Sequence, residues 1–235
     1  MNGDEMGHVK NISQATALIL KELKTTYRTS AKHEKNWSVY KGKVLPPELM
    51  MSKKFQLITG YGYELCRHML LYRNDEPEIN EEVLKEASHW TKMGAMCIHN
   101  SVILYTLLLE LGIFTPTSLH FVQGYYHHKT REDNVIEMIA KSHISVHAWL
   151  VVRGSVIDMT IQQEKDVFDF TTEEGNYPFI LGKVNDGLLL KGKNEPNKIV
   201  DAYIKDFAKY LGISKEEWIE RQLKYFDGYS LAKVN

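Results

Sequence analysis

The 235-residue chain is poor in the features that narrow a protein's class most quickly. It carries two cysteines, Cys66 and Cys97, too few for a disulfide framework or a thiolate zinc site. It has no run of about 18 apolar residues, so no membrane span is expected. Lysine and arginine number 29 against 30 acids, a formal net charge of −1, which gives no reason to expect a nucleic-acid or anionic-membrane partner. The short basic groups at Lys53-Lys54 and Lys191 to Lys193 have acids close by and read as solvated surface. Internal repeats and low-complexity tracts are lacking. Residues 1–10 carry acids and no apolar stretch, as neither a signal peptide nor a transit peptide would. A reducing cytoplasm fits this pattern, although a chain exported without a cleaved leader would look the same.

What is present is the patterning of one packed domain. Residues 1–11 read as a flexible lead-in, and 12–235 as a single domain with helical flanks at both ends. Apolar spacing predicts an amphipathic helix over 12–27. Residues 36–47, with Gly42 and a Pro-Pro pair, read as a loop, and 55–72 as helical in its second half. Asn80 followed by Glu81 and Glu82 marks a helix start. Over 97–111 the only formal charge is Glu110, and apolar side chains cover nearly the whole circumference. Such a helix is buried, and Gly112 stands where its C-terminal cap belongs. The period then changes: 119–126, 144–153 and 156–160 are β-branched and aromatic, with Gly154-Ser155 as a tight turn joining the last two. Strand-like signals fade after Phe170. Helices return over 198–211 and, with Ser214 and Glu217 as a capping box, from there to about Phe226. Helices flanking a small antiparallel sheet make an α+β class.

Cys97 opens the buried helix. A thiol is a weak nucleophile until it ionises, and a helix N-terminus with an adjacent imidazolium lowers a cysteine pKa to about 3.5–7.5. A histidine must supply that second effect, and a further polar group must hold its ring. His147 and Asp158 lie on consecutive strands of a short hairpin, which can bring them side by side. Each has a plainer reading, His147 as a satisfied core residue and Asp158 as a local turn cap.

Order and spacing across 94–160 resemble the transglutaminase-like superfamily. The residues that carry the resemblance begin with Cys97 opening a helix that ends in Leu111-Gly112-Ile113. They continue with Val122-Gln123-Gly124-Tyr125, His147-Ala148-Trp149 and Ile157-Asp158-Met159-Thr160. The resemblance implies a papain-like core, with a buried nucleophile helix packed on a small antiparallel sheet. It implies thioester chemistry, with Cys97 as nucleophile, His147 as base and then acid, and Asp158 orienting the ring. Phe114 and Met159 depart from the usual pattern, and Gly94 lies one residue farther from the cysteine, which leaves the subfamily and substrate open. The backbone N–H of Cys97 is the natural first oxyanion donor. Gln56, Tyr63 and Trp90 are all chemically able to supply the second.

The expected activity is acyl transfer from a peptide, protein or small amide or ester, without a cofactor. Water as acceptor makes the chain a cysteine peptidase or amidase, the reading favoured because nothing marks a dedicated amine or carrier-protein site. An amine acceptor makes it a transglutaminase or amide-forming acyltransferase. A non-catalytic binding module on the same fold is the alternative from another class. Trp149, Tyr125 and Trp90 are candidates for lining a substrate groove. Cys66, amid helical spacing, reads as a core residue. His127, His128, His143 and His147 do not make a convincing metal set, because His143 and His147 are too far apart along a strand. The charged loop over 129–133 reads as solvated surface or a lid over the cleft that an acyl donor would need.

Overall fold

The computed structural model describes residues 38–40, 42–71, 79–127, 145–161, 180–182, 188–194 and 197–234. The helix expected over 12–27 and the loop over 129–133 lie outside them. The described elements, in chain order, are β1 (Ser38–Tyr40), α1 (Pro47–Met50), α2 (Lys53–Leu71), α3 (Glu81–Lys92), α4 (Met96–Glu110), β2 (Leu119–His127), β3 (Ser145–Val152), β4 (Ser155–Asp158), β5 (Ile180–Gly182), β6 (Leu188–Asn194), α5 (Asn197–Leu211) and α6 (Lys215–Val234). The class is α+β. The six strands form one antiparallel sheet in the order β1-β6-β2-β3-β4-β5.

Helix α4 is the centre of the fold. Twelve of its fifteen residues are buried, as its nearly uninterrupted apolar surface requires. It packs on the sheet face that carries Ala148, Leu150, Val152, Ile157, Leu119 and Phe121, all members of the main core cluster. Its end is a full Schellman cap, with Gly112 at φ 72°. Gly112 N–H donates to Leu109 O at 2.9 Å and Ile113 N–H to Leu108 O at 3.0 Å. Its start has no side-chain cap, because Ala95 occupies the N-cap position. The chain arrives there from α3 through Gly94 at φ 70°, with the Ala95 N–H donating to Trp90 O at 2.8 Å.

Several boundaries differ from the sequence reading. Helix α2 runs through the whole of Lys53–Leu71 rather than half of it. Thr59, Gly60 and Gly62 weaken its propensity but permit close packing. A Cβ on Gly62 would come within 2.8 Å of the Leu104 side chain of α4, so the two helices approach as only glycine allows. The turn between β3 and β4 falls one residue earlier than expected. Its central pair is Arg153-Gly154, with φ 49° and 91°, the paired positive angles that match the twist of a two-residue hairpin. Part of the expected 36–47 loop is β1, and β5 and β6 were not expected. In β6 the Lys191-Gly192-Lys193 group reads as surface, yet its backbone pairs with both β1 and β2. Helix α6 continues to Val234, through a Gly228 that meets no neighbour. The caps at Asn80 and Ser214 are as expected, accepting from Glu82 N–H at 2.8 Å and Glu217 N–H at 3.0 Å.

Candidate active site

The register of β3 against β4 decides whether His147 and Asp158 can meet. Leu150, Val151 and Val152 pair with Ile157, Val156 and Ser155. Side chains alternate along each strand, so His147, Trp149 and Val151 share a face with Val156 and Asp158. His147 and Asp158 are thus diagonal neighbours on one face, and the ring reaches the carboxylate. His147 Nε2 lies 2.6 Å from Asp158 Oδ2, at the short end of hydrogen-bond reach.

Thr160 fixes the carboxylate from the other side. Its N–H and its Oγ1 hydroxyl both donate to Asp158 Oδ1, at 2.9 and 3.0 Å. This local turn explains the Asp-x-Thr spacing physically: a short acidic side chain bonds the backbone two residues ahead and is locked in one orientation. Trp149 lies alongside, its ring stacked on that of His147 at 6.0 Å and 24°. The indole is fully buried.

Cys97 is the other group that acts on the histidine. Its sulfur is a hydrogen-bond partner of His147. Since Nε2 is taken by Asp158, Nδ1 is the ring nitrogen left to it. Burial opposes the imidazolium charge, but Asp158 and Cys97 together outweigh it and hold His147 well above its ordinary value. The first turn of α4, the hairpin strands and the Thr160 turn therefore converge on one arrangement of thiol, imidazole and carboxylate.

Among the described residues, no open cleft leads to the three side chains. Cys97 is 2 % exposed, His147 0 % and Asp158 1 %. No described pocket is lined by any of the three; the two described pockets lie beside Tyr210 and beside Lys198. Trp149, expected in a substrate groove, is sealed in the interior. Trp90 is part-buried and packs edge or tilted against Phe207 at 4.7 Å and Tyr210 at 5.9 Å on α5. Tyr125 is placed only by its backbone, opposite Val146 and Leu190. Of the candidate second oxyanion donors, Gln56 is exposed and spends its amide on the Met50 carbonyl. Tyr63 is engaged in contacts of its own. The indole N–H of Trp90 is buried without a hydrogen-bond partner. Cys66 is fully buried, with its thiol 4.0 Å from the Met96 sulfur, as a core cysteine should be.

Sequence reasoning missed a second buried histidine–carboxyl pair. His99, two positions past Cys97, places Nε2 3.0 Å from Glu86 Oε1, and both residues are at most 2 % exposed. The only sequence signal is a pair of ionisable residues, Glu86 and His99, on the apolar sides of consecutive helices. No group of three or more metal-ligating side chains occurs among the described residues. No described helix is long and apolar enough to cross a membrane. Comparison with protein-family models, with curated proteins and with solved structures found no match to this chain.

Proposed function

We propose that the chain is a thiol-dependent acyl-transfer enzyme of the transglutaminase-like, papain-fold kind, with Cys97, His147 and Asp158 as its triad. The observation that carries this reading is His147 held between Asp158 and Cys97 at the first turn of a buried helix. A raised imidazole pKa beside a thiol favours the thiolate–imidazolium pair, which is the reactive state of a cysteine nucleophile.

The steps follow from these groups. The Cys97 thiolate attacks an amide or ester carbonyl, and the charge that develops on oxygen meets the backbone N–H of Cys97 at the start of α4. As the tetrahedral intermediate collapses, the imidazolium of His147 gives its proton to the leaving amine or alcohol, and a thioester remains. Neutral His147 then takes a proton from the acceptor as it attacks, and the thiolate leaves with the imidazolium restored. Asp158 keeps the ring in one orientation throughout, and Thr160 holds Asp158. Water as acceptor releases an acid, which makes the chain a peptidase or amidase. An amine acceptor makes an amide, the work of a transglutaminase or acyltransferase. Because the sulfur is 2 % exposed, the donor reaches it only after the site opens.

The burial of all three side chains also favours a second reading, a binding module in which His147 and Asp158 are core residues. Intact-mass spectrometry separates the two. Incubation with activated esters and with glutamine-containing peptides should add one acyl mass to the wild type and none to Cys97→Ala. If transfer is the natural reaction, a primary amine should then speed its removal by more than it speeds cleavage of the same acyl group from a small-molecule thioester. Absence of any adduct, with every donor class, would leave only the binding module.

A further inference from the structure

Three consecutive buried polar residues follow Cys97, and each bonds a different element. His99 Nε2 meets Glu86 Oε1 of α3 at 3.0 Å. Asn100 Nδ2 donates to the Gly62 carbonyl of α2 at 2.7 Å. Ser101 Oγ donates to the Ala148 carbonyl of β3 at 3.1 Å, one residue from His147. Successive helical side chains leave the axis about 100° apart, so these three grip the start of α4 from three sides. The grip matters because no side chain caps that end of the helix.

The contact to Glu86 reaches farthest. Glu86 Oε1 also accepts from Trp218 Nε1 at 2.7 Å, and Oε2 accepts from Gln222 Nε2 at 3.2 Å. Trp218 and Gln222 belong to α6 and are fully buried. One turn earlier on α3, Glu82 receives the Arg221 guanidinium at 2.7 Å and the Tyr225 hydroxyl, again from α6. A single buried carboxyl group therefore joins the first turns of the nucleophile helix to the C-terminal helix. Where apolar side chains would tolerate sliding, buried hydrogen bonds of this kind fix one register, although Asn100 Oδ1 and Gln222 Oε1 are themselves left without a partner among the described residues. Among the described residues, the other ionisable groups facing this seam are Tyr61 on α2 and Tyr225 and Tyr229 on α6. Burial, and then Glu86, pushes the Tyr61 hydroxyl far up. Those facing Cys97 are His147 on β3, with Asp158 behind it on β4.

We infer that Glu86 and His99 are positioning residues for Cys97, tying the first turn of α4 to α6 so that the sulfur stays in hydrogen-bond reach of His147. The inference rests on the function proposed above, since it names what keeps that site in its reactive arrangement.

The test is the rate at which iodoacetamide labels Cys97 in the full chain from about pH 5 to pH 9, resolved from Cys66 by peptide mass. His99→Gln keeps an N–H near the position of Nε2, whereas His99→Leu removes it at similar volume. The expected result is an upward shift of about one pH unit in the Cys97 profile of His99→Leu, equivalent to labelling about tenfold slower at low pH. His99→Gln should stay within about twofold of the wild type. Trp218→Phe, which removes one of the two α6 donors to Glu86, should shift the profile the same way by less, and it replaces His99→Leu should that variant not fold. Profiles of His99→Leu and Trp218→Phe that superimpose on the wild type, with only the urea midpoint lowered, would overturn the inference. A wild-type Cys97 that labels no faster at low pH than an ordinary thiol would instead overturn the proposed function, and this inference with it.

Discussion

Among the described residues, two buried histidine–carboxyl pairs have nearly the same make-up, and their surroundings differ in one respect. In the sheet, His147 and Asp158 lie 2.6 Å apart, and the imidazole also meets a thiol. Among the helices, His99 and Glu86 lie 3.0 Å apart, and the carboxyl group meets the indole of Trp218 and the amide of Gln222. The first pair leaves its histidine facing a group that can attack. The second spends its carboxyl oxygens on donors that only hold. A histidine–carboxyl pair is therefore not a site by itself; what stands at its outer edge decides. The two pairs are also joined through the backbone of α4, because His99 follows Cys97 by two residues.

The same chemical change at the two pairs should give opposite phenotypes. Asp158→Asn removes the negative charge that helps hold His147 as imidazolium, so acylation of Cys97 should fall by about a hundredfold or more. Stopped-flow acylation by an activated ester measures it, and a variant within tenfold of the wild type would remove Asp158 from the proposed triad. Glu86→Gln should instead act on the fold. Glutamine cannot accept from three donors as a carboxylate does, and an unsatisfied buried donor costs about 1–3 kcal/mol. Urea unfolding should show that loss, while acylation falls by no more than about tenfold.

Stability against pH sharpens the comparison further. The folded pKa of His147 is raised above its unfolded value of about 6.5. Its contribution is therefore complete below that pH and is lost as pH rises through the folded value. Urea midpoints should decline on the alkaline side of neutrality, and His147→Gln should flatten that decline. The smallest effect belongs to an exposed pair. Arg153 and Glu48 meet at 3.3 Å with both side chains 65 % exposed, so Glu48→Gln should change stability by less than about 0.5 kcal/mol.

Much of this arrangement was legible in the sequence, for physical reasons. A helix apolar all round has to be buried, so α4 and the placement of Cys97 at its start followed from 97–111 alone. Alternating β-branched residues around a glycine turn gave the β3–β4 hairpin, although the turn pair is Arg153-Gly154. The Asp-x-Thr spacing was visible, but its mechanics, a two-residue turn that orients a carboxylate, needed coordinates. What escaped was non-local. Glu86 and His99 stand 13 residues apart on different helices, and their partners on α6 are more than 130 residues from Glu86. No local pattern announces such a network. Strand β6 escaped because its charged and glycine residues read as surface, whereas backbone pairing to β1 and β2 is what defines it. Access to the sulfur could not be read from spacing either, and the closed site is the main departure from expectation.

The central claim is that Cys97 is ionised by His147. Thiolates absorb in the ultraviolet where thiols do not, so the wild-type spectrum minus that of Cys97→Ala reports one sulfur across a pH titration. The account predicts thiolate already present at about pH 6, and a midpoint moved to about 8.5 or above by His147→Gln. A wild-type midpoint of about 8.5 that His147→Gln leaves unchanged would contradict it.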